Sequence, residues 1–147
     1  MSDSMTGRCF CCAITYEFDG PPKWVIHCHC ESCRRATSSP MTTWLCVPRE
    51  SLRFTRGEPR YYRSSPGVRR GFCGECGAQL TYENEGRAGD IDLYAASLDD
   101  PTQVRPVSHV FAAEQLPWLE ILDELPRYAT TNEGGKAKPM RIGPKRN

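Results

Sequence analysis

The chain has 147 residues, so we expect one domain with a core large enough to fold without disulfide staples. Its 19 Lys and Arg residues and 18 Asp and Glu residues give a net charge of +1, which excludes a strongly basic or acidic chain. No apolar run reaches the roughly 20 residues of a membrane span, and the first seven residues lack the features of a signal peptide. We therefore expect a cytoplasmic protein without membrane contact.

Short strands between Gly and Pro turns are predicted along most of the chain. Strands are predicted at 13–18, 23–27, 41–47, 52–54, 60–63, 68–72, 79–83, 90–96 and 107–112. Residues 31–37 are predicted to form a helical turn, and residues 119–125 a short helix that ends before Pro126. The pattern predicts a mostly-β fold with at most short helices.

Composition divides the chain into three predicted segments. Residues 1–6 are predicted to be a flexible N-terminus, and residues 7–130 the folded domain. Residues 131–147 are rich in Gly, Pro and Lys and carry a net charge of +4, which leaves −3 for the rest. We expect this basic tail to be disordered and solvated rather than bound to an anionic surface.

Cysteine is the unusual part of the composition. The nine cysteines are Cys9, Cys11, Cys12, Cys28, Cys30, Cys33, Cys46, Cys73 and Cys76. An odd number without an export signal indicates a reducing compartment, where thiols stay free or bind metal. Unreactive buried thiols are the alternative, but they do not account for the three tight clusters.

The pair Cys73 and Cys76 has the C-x-x-C spacing of a zinc knuckle, and Gly77 follows it. The same spacing occurs in redox dithiols, but a strand rather than a helix is predicted to follow here, which favours zinc. A closed zinc site needs four ligands. The second pair comes either from Cys9 and Cys11, which an extended backbone places on one face, or from the cluster at 28–33.

If Cys9 and Cys11 join the knuckle, Cys28, Cys30 and Cys33 remain as three thiolates on one short segment. Three protein ligands with one open position are typical of a catalytic zinc. The alternative is a second closed site, whose fourth ligand would be one of the following: His27, His29, His109 or Cys46. Cys46 lies in a predicted apolar strand and is better explained as a core thiol.

Three further stretches, together with the cysteine clusters, complete a set of motifs shared with a known family. The motifs are Gly7-Arg-Cys-Phe-Cys11 with Tyr16, Cys28-His-Cys-x-x-Cys-Arg34, Phe72-Cys-x-x-Cys-Gly77, His109-Val-Phe111, Pro117-Trp118 and Asp123-Glu-Leu-Pro126. Over about residues 7 to 128, the chain resembles the glutathione-dependent formaldehyde-activating enzyme family, which is grouped with centromere protein V. One position departs from the pattern, because Cys12 stands where the family usually has Gly, a residue suited to a positive φ.

The resemblance implies a tent-like, mostly-β zinc fold of short antiparallel sheets with two zinc ions per chain. It implies a structural zinc held by Cys9, Cys11, Cys73 and Cys76, and a functional zinc held by Cys28, Cys30 and Cys33. The family's activity is addition of glutathione to formaldehyde, giving S-(hydroxymethyl)glutathione, and the family is classed with carbon–sulfur lyases. The expected partners are therefore a small-molecule thiol and an aldehyde.

Arginine and histidine side chains near the second cysteine cluster are the candidates for contacts with substrate. Arg34 and Arg35 could hold a glutathione carboxylate through bidentate hydrogen bonds, or they could be solvated. His29, like His27 and His109, is a candidate to bind substrate or relay a proton, although a packing role is the plainer interpretation.

A zinc-stabilised module that binds protein or nucleic acid without catalysis is the alternative function. The basic tail favours it, whereas the net charge of −3 on the rest and the lack of a basic-aromatic stripe in the sequence argue against nucleic acid. An unfinished set of three cysteines fits an enzyme better. The sequence leaves the oligomeric state open.

Overall fold

The computed structural model describes residues 4–131, which form two compact units. The first unit contains residues 4–24 and 45–105, and the second contains residues 25–44 and 106–131. The predicted basic tail lies outside the described residues except for Thr131. The bounds of the predicted domain, 7–130, stay a prediction.

The described residues form ten strands and one α-helix, which confirms the mostly-β prediction. The elements are β1 (Ser4–Arg8), β2 (Thr15–Asp19), β3 (Trp24–Cys28), α1 (Glu31–Thr37), β4 (Thr42–Pro48), β5 (Leu52–Arg56), β6 (Arg60–Ser65), β7 (Val68–Phe72), β8 (Gln79–Asn84), β9 (Asp90–Tyr94) and β10 (His109–Val110). The helix predicted at 31–37 is present, and each predicted strand has a counterpart, although β10 is only two residues long. No helix within residues 4–131 is both long enough and apolar enough to span a membrane.

The prediction of a helix at 119–125 is wrong, because these residues adopt no regular secondary structure. Leu122 is 99% exposed, so the apolar residues do not form one buried face. The Asp123 carboxylate instead accepts a hydrogen bond from the Leu125 N–H at 3.0 Å. A seven-residue helix without a packed face gains too little to offset the cost of nucleation.

The N-terminus also differs from the prediction. Residues 4–6, assigned by composition to a flexible segment, pair with β2 in an antiparallel ladder. The two strands approach closely at Gly7, which lies opposite Tyr16. A Cβ at Gly7 would clash with the Tyr16 Oη, which itself hydrogen-bonds Ser97 Oγ at 2.6 Å. Only glycine permits this approach, and the ladder brings Cys9 to the end of β1.

The first unit has a three-stranded sheet with the order β1-β2-β5 and a run of strands with the order β4-β9-β8-β7-β6. The β1-β2, β2-β5, β6-β7, β7-β8 and β8-β9 pairs are antiparallel. The largest fully buried apolar side chains of this unit are Tyr16, Phe18, Leu45, Leu80, Leu93 and Val47. Two turns of this framework, β1-β2 and β7-β8, carry five cysteines.

The second unit is built around a short parallel pair. β10 pairs with β3 in the register His109 to His27 and Val110 to Cys28. On its other side, His109 forms a parallel bridge with Arg127. The helix α1 follows β3 and ends at Ser38, which has a φ of 56°. This arrangement gathers three histidines and three cysteines around the end of β3.

Candidate metal centres

The first centre lies where two hairpin turns meet. The ligand atoms of four cysteines lie within 4.8 Å of one another: Cys9, Cys11, Cys73 and Cys76. The β1-β2 turn closes with a hydrogen bond from the Cys9 N–H to Ile14 O at 3.0 Å. The β7-β8 turn closes in the same way, from the Cys73 N–H to Ala78 O at 2.9 Å. The structure thus brings together the two pairs that the sequence groups.

The spacing of these sulfurs fits a tetrahedral ion. The Cys11 Sγ lies 3.8 Å from the Cys9 Sγ and 3.8 Å from the Cys73 Sγ. Four sulfurs, each about 2.3 Å from a zinc ion, would be separated by about 3.8 Å along each tetrahedral edge. The cluster can therefore hold metal with little movement of its turns.

Backbone N–H groups face the sulfurs and stabilise thiolates, the form that binds metal. The Ile14 N–H donates to the Cys9 Sγ at 3.2 Å. Burial raises the pKa of Cys9, but this hydrogen bond and those of neighbouring thiols outweigh it, so the pKa is lowered. A hydrogen bond from the Ala78 backbone lowers the pKa of Cys76 to about 6.

Cys12 occupies a left-handed position in the first turn, with a φ of 69°. Gly77 has the corresponding role in the second turn, with a φ of 78°. The sulfur of Cys12 is not part of the four-sulfur cluster. An L-residue at this φ is strained by roughly 1–2 kcal/mol, which explains why glycine suits the position.

The second centre contains Cys28, Cys30 and Cys33, whose sulfurs lie within 4.8 Å of one another and whose residues are all buried. Cys28 ends β3, Cys30 caps α1 and Cys33 lies in its first turn. The Cys30 Sγ accepts a hydrogen bond from the Cys33 N–H at 3.3 Å, and the sulfurs of Cys28 and Cys33 are 3.9 Å apart. This spacing again matches a tetrahedral edge of about 3.8 Å. Among residues 4–131, no fourth Cys, His, Asp or Glu ligand completes this group.

Mutual hydrogen bonding and burial keep the thiols of Cys28 and Cys30 protonated in the metal-free chain. Hydrogen bonds with Cys30 and Cys33, followed by burial, raise the pKa of Cys28 well above its ordinary value. A hydrogen bond with Cys28 lowers the pKa of Cys30, but the contact with Cys33 and burial outweigh it and raise the pKa to about 11. Binding of a metal here must therefore displace protons.

His29 points away from the sulfurs, because alternate residues of an extended chain face opposite sides. It is fully buried, and its Nε2 lies 2.8 Å from the His109 Nδ1. The His109 Nε2 lies 2.8 Å from the Asp123 Oδ2. Burial, followed by the charge of His109, lowers the pKa of His29 to about 4, so His29 is neutral. These contacts place His29 in a buried hydrogen-bonded chain with His109 and Asp123.

Asp123 is the member of this network that residue-based reasoning missed. The sequence pattern assigns Asp123 to a helix, and nothing in the spacing links it to His109, fourteen residues earlier. In the neutral form of His109, the proton lies on Nε2 and is donated to Asp123, so Nδ1 accepts from His29. The His29 Nδ1 is then a buried acceptor, and it has no hydrogen-bond partner among the described residues.

The two arginines after the cluster have different surroundings. The Arg34 Nη1 donates to His29 O at 2.9 Å and to Glu114 O at 2.5 Å, so it ties the ligand segment to the chain after β10. Arg35 has a side chain that is 75% exposed and pairs with Glu31 at 3.1 Å. Arg34 therefore has a bracing contact, while Arg35 keeps an exposed side chain.

Cys46 belongs to neither centre. It is fully buried in β4, and burial, followed by the charges of Asp92 and Asp90, raises its pKa to about 12. Its environment is that of a core thiol.

The family described as glutathione-dependent formaldehyde-activating enzyme (GFA) matches residues 4–114, most of the chain. The chain belongs to this family. The match includes both cysteine centres and His109, and it ends before Asp123.

Two other proteins are similar to parts of this chain. An uncharacterized lyase of Schizosaccharomyces pombe is 33% identical over 76 residues, which is 52% of this chain and 55% of that protein. The chain thus matches only about half the length of that curated relative. A crystal structure of a Rhodobacter sphaeroides protein has a TM-score of 0.59 at 21% identity, covering 72% of this chain and all of that one. This second likeness shows a shared fold.

Proposed function

We propose that this protein is a zinc-dependent carbon–sulfur lyase that joins a small thiol, such as glutathione, to a small aldehyde, such as formaldehyde. The observation that carries the proposal is the difference between the two centres. One centre offers four sulfurs and the other three, and the sulfurs of each centre lie within 4.8 Å of one another. A four-sulfur set closes a tetrahedral zinc, whereas three ligands leave a position for substrate.

The reaction joins two molecules without any other reactant. A carbon–sulfur bond forms between the thiol sulfur and the carbonyl carbon, the C=O π bond opens, and the thiol proton ends on the new hydroxyl oxygen. The reverse reaction is the lyase direction. Zinc, when bound, would supply the affinity for a thiol and the lowering of its pKa that this chemistry requires.

The protein's own residues would hold and brace this site. Cys28, Cys30 and Cys33 would bind the ion from one short segment. Arg34 fixes that segment through the carbonyls of His29 and Glu114. Arg35, with its exposed guanidinium, is the cation proposed to contact a substrate carboxylate.

The four-sulfur centre is proposed to have a structural role. It joins two hairpin turns that are far apart in sequence, and it sits on the two sheets of the first unit. A closed set of four thiolates would stabilise the fold without offering a position to substrate.

The proposal is tested by NMR, which measures the rate of exchange between free glutathione and its formaldehyde adduct. The uncatalysed reaction gives the background rate for comparison. Zinc-loaded wild type is expected to accelerate the exchange, and Cys30→Ser to return it to background. Cys46→Ala is the matched control, because it removes a buried thiol outside both centres. Equal rates for wild type and Cys30→Ser would contradict the proposal.

One observation favours the alternative of a zinc-stabilised binding module. The strand β6 is exposed along its whole length and carries the sequence Arg-Tyr-Tyr-Arg at 60–63. Tyr62 is 67% exposed, and the Arg69 guanidinium lies 3.9 Å from the Tyr61 ring centroid. Exposed aromatic rings beside arginine are typical of single-stranded nucleic-acid platforms. Binding of labelled single-stranded DNA that weakens steeply between about 50 and 200 mM salt would support this alternative.

A further inference from the structure

Three side chains without sulfur converge on the face of β3 opposite the cysteines. The parallel register places His109 directly beside His27, so their side chains lie on the same face of neighbouring strands. Their ring centroids are 4.8 Å apart. The chain beyond Pro126 runs beside β10, and the Asp123 carboxylate reaches the His109 ring at 2.8 Å.

We propose that His27, His109 and Asp123 form a third metal site, for a borderline divalent cation such as Zn²⁺ or Fe²⁺. One ligand atom from each of the three lies within 4.8 Å of the other two. This site is separate from both cysteine centres and does not depend on the proposed lyase function.

Alternation along β3 separates the site from the sulfurs. Cys28 and Cys30 face one side of the extended chain, whereas His27 and His29 face the other. The ring contacts agree with this assignment, because the His27 and His29 rings both lie against His109, with centroids 4.8 and 5.0 Å from it. A cation held by the imidazoles is therefore distinct from one held by the thiolates.

The hydrogen bonds of both imidazoles suit metal binding. A histidine that binds metal through one nitrogen almost always donates through the other to a fixed partner. The His27 Nδ1 lies 2.8 Å from the Thr43 Oγ1, and the His109 Nδ1 lies 2.8 Å from the His29 Nε2. When Nε2 binds the ion, the His109 proton would sit on Nδ1 and be donated to the His29 Nε2, with the His29 proton on its own Nδ1. The Nε2 atoms of His27 and His109 are then the ligands.

Little movement of the His109 and Asp123 side chains is needed to admit an ion between them. The His109 Nε2 and the Asp123 Oδ2 are 2.8 Å apart in the hydrogen-bonded form. Ligands about 2.0–2.2 Å from a common ion and at roughly right angles or more lie about 2.9–3.5 Å apart. For these two ligands, an ion would therefore replace the shared proton with a shift of well under about 1 Å, while the His27 ligand atom lies within 4.8 Å of both.

The donor set selects the class of ion. Two imidazoles and one carboxylate are ligands for zinc and for non-haem iron, and they leave coordination positions open. Magnesium and calcium prefer sites made entirely of oxygen. The Asp123 carboxylate supplies one negative charge among the three ligands, which attracts a divalent cation, and the nearby Arg127 guanidinium offsets part of it. The Arg127 guanidinium, 3.8 Å from the other carboxylate oxygen, does not occupy the Oδ2 position.

The experiment uses the full-length protein after its cysteine centres have been filled with zinc and excess metal removed. Co²⁺ is then added, and its d–d absorption is followed together with the near-ultraviolet thiolate-to-cobalt band. Wild type is compared with Asp123→Asn and His27→Gln, two variants that keep side-chain size. Glu124→Gln is the matched control, because Glu124 is the exposed acidic neighbour of Asp123.

Wild type and Glu124→Gln are expected to bind one further Co²⁺ without a rise in the thiolate band. Asp123→Asn and His27→Gln are expected to weaken that binding by about tenfold or more. The far-ultraviolet circular dichroism of each variant verifies its fold. The proposal is overturned if wild type binds no further Co²⁺, if the added Co²⁺ raises the thiolate band, or if Asp123→Asn and Glu124→Gln bind alike.

Discussion

The sulfur of Cys11 lies 3.8 Å from the sulfur of Cys73, although 62 positions separate the two residues in the sequence. This contact joins the β1-β2 turn to the β7-β8 turn. By contrast, Cys28 and Cys33, whose sulfurs are 3.9 Å apart, are separated by only five positions. The two centres therefore close loops of very different length, and they should contribute differently to stability.

Loss of one ligand should distinguish the centres. Cys73→Ser opens the long loop, and by analogy with a cross-link of that length it should cost about 4 kcal/mol of unfolding free energy. The melting temperature should fall by on the order of 10 °C, with lower soluble yield. The three-cysteine centre closes almost no loop, so the fold of Cys30→Ser should stay largely intact. Equal thermal shifts for the two variants would show that the division into structural and functional centres is wrong.

Metal binding at the three-cysteine centre should release more protons per ligand than at the other centre. The pKa of Cys30 is raised to about 11 and that of Cys28 lies well above its ordinary value, so both thiols are protonated at pH 7. At the other centre, the pKa of Cys76 is lowered to about 6 and that of Cys9 is also lowered, whereas the pKa of Cys11 is raised to about 12. The affinity of the three-cysteine centre should therefore rise with pH between 7 and 9.

Calorimetric titration of zinc in buffers with different ionisation enthalpies counts the released protons. Cys30→Ser isolates the four-cysteine centre, so subtraction of its proton count gives the value for the other centre. An affinity of the three-cysteine centre that is independent of pH over this range would contradict the prediction.

Relief of the strain at Cys12 should stabilise the zinc-loaded protein. Glycine adopts the observed φ of 69° without the clash of a Cβ, so Cys12→Gly should gain about 1 kcal/mol. Cys12→Ala keeps the strain and removes the same thiol, which makes it the matched control. Urea denaturation with both centres loaded measures the difference. If the two variants are equally stable, the left-handed backbone at Cys12 is not a source of strain.

The adjacent arginines should differ in what they support. Arg34→Leu leaves the carbonyls of His29 and Glu114 without their donor, so it should destabilise the protein by about 1–3 kcal/mol. Arg35→Ala removes an exposed side chain and should leave stability within about 0.5 kcal/mol. It should instead raise the KM for glutathione with little change in kcat. The reverse pattern would assign the bracing role to Arg35.

Sequence reasoning succeeded where the signal is local. The C-x-C and C-x-x-C spacings group the same cysteines that the structure brings within 4.8 Å, because each pair lies on one tight turn. The strands other than β1 were also predicted, and so was α1, since alternation and turn residues act over a few positions. Cys46 was correctly interpreted as a core thiol, because it lies in an apolar strand.

The errors arose where distant segments decide the conformation. Residues 119–125 have a helical composition, yet they adopt no regular secondary structure and the Asp123 carboxylate contacts His109. The alternation that places His27 on one side and Cys28 on the other follows from the strand, but the parallel partner β10 could not be inferred from spacing. The bracing contacts of Arg34 depend on Glu114, eighty positions away.

The central claim is that the metal held by Cys28, Cys30 and Cys33 keeps a position open for a substrate thiol. Cobalt in place of zinc tests it directly, because cobalt reports its sulfur ligands through a charge-transfer band. Titration with glutathione should raise that band in wild type and should leave it unchanged in Cys30→Ser. No rise in wild type at millimolar glutathione, with both centres filled, would show that glutathione is not the thiol bound at this site.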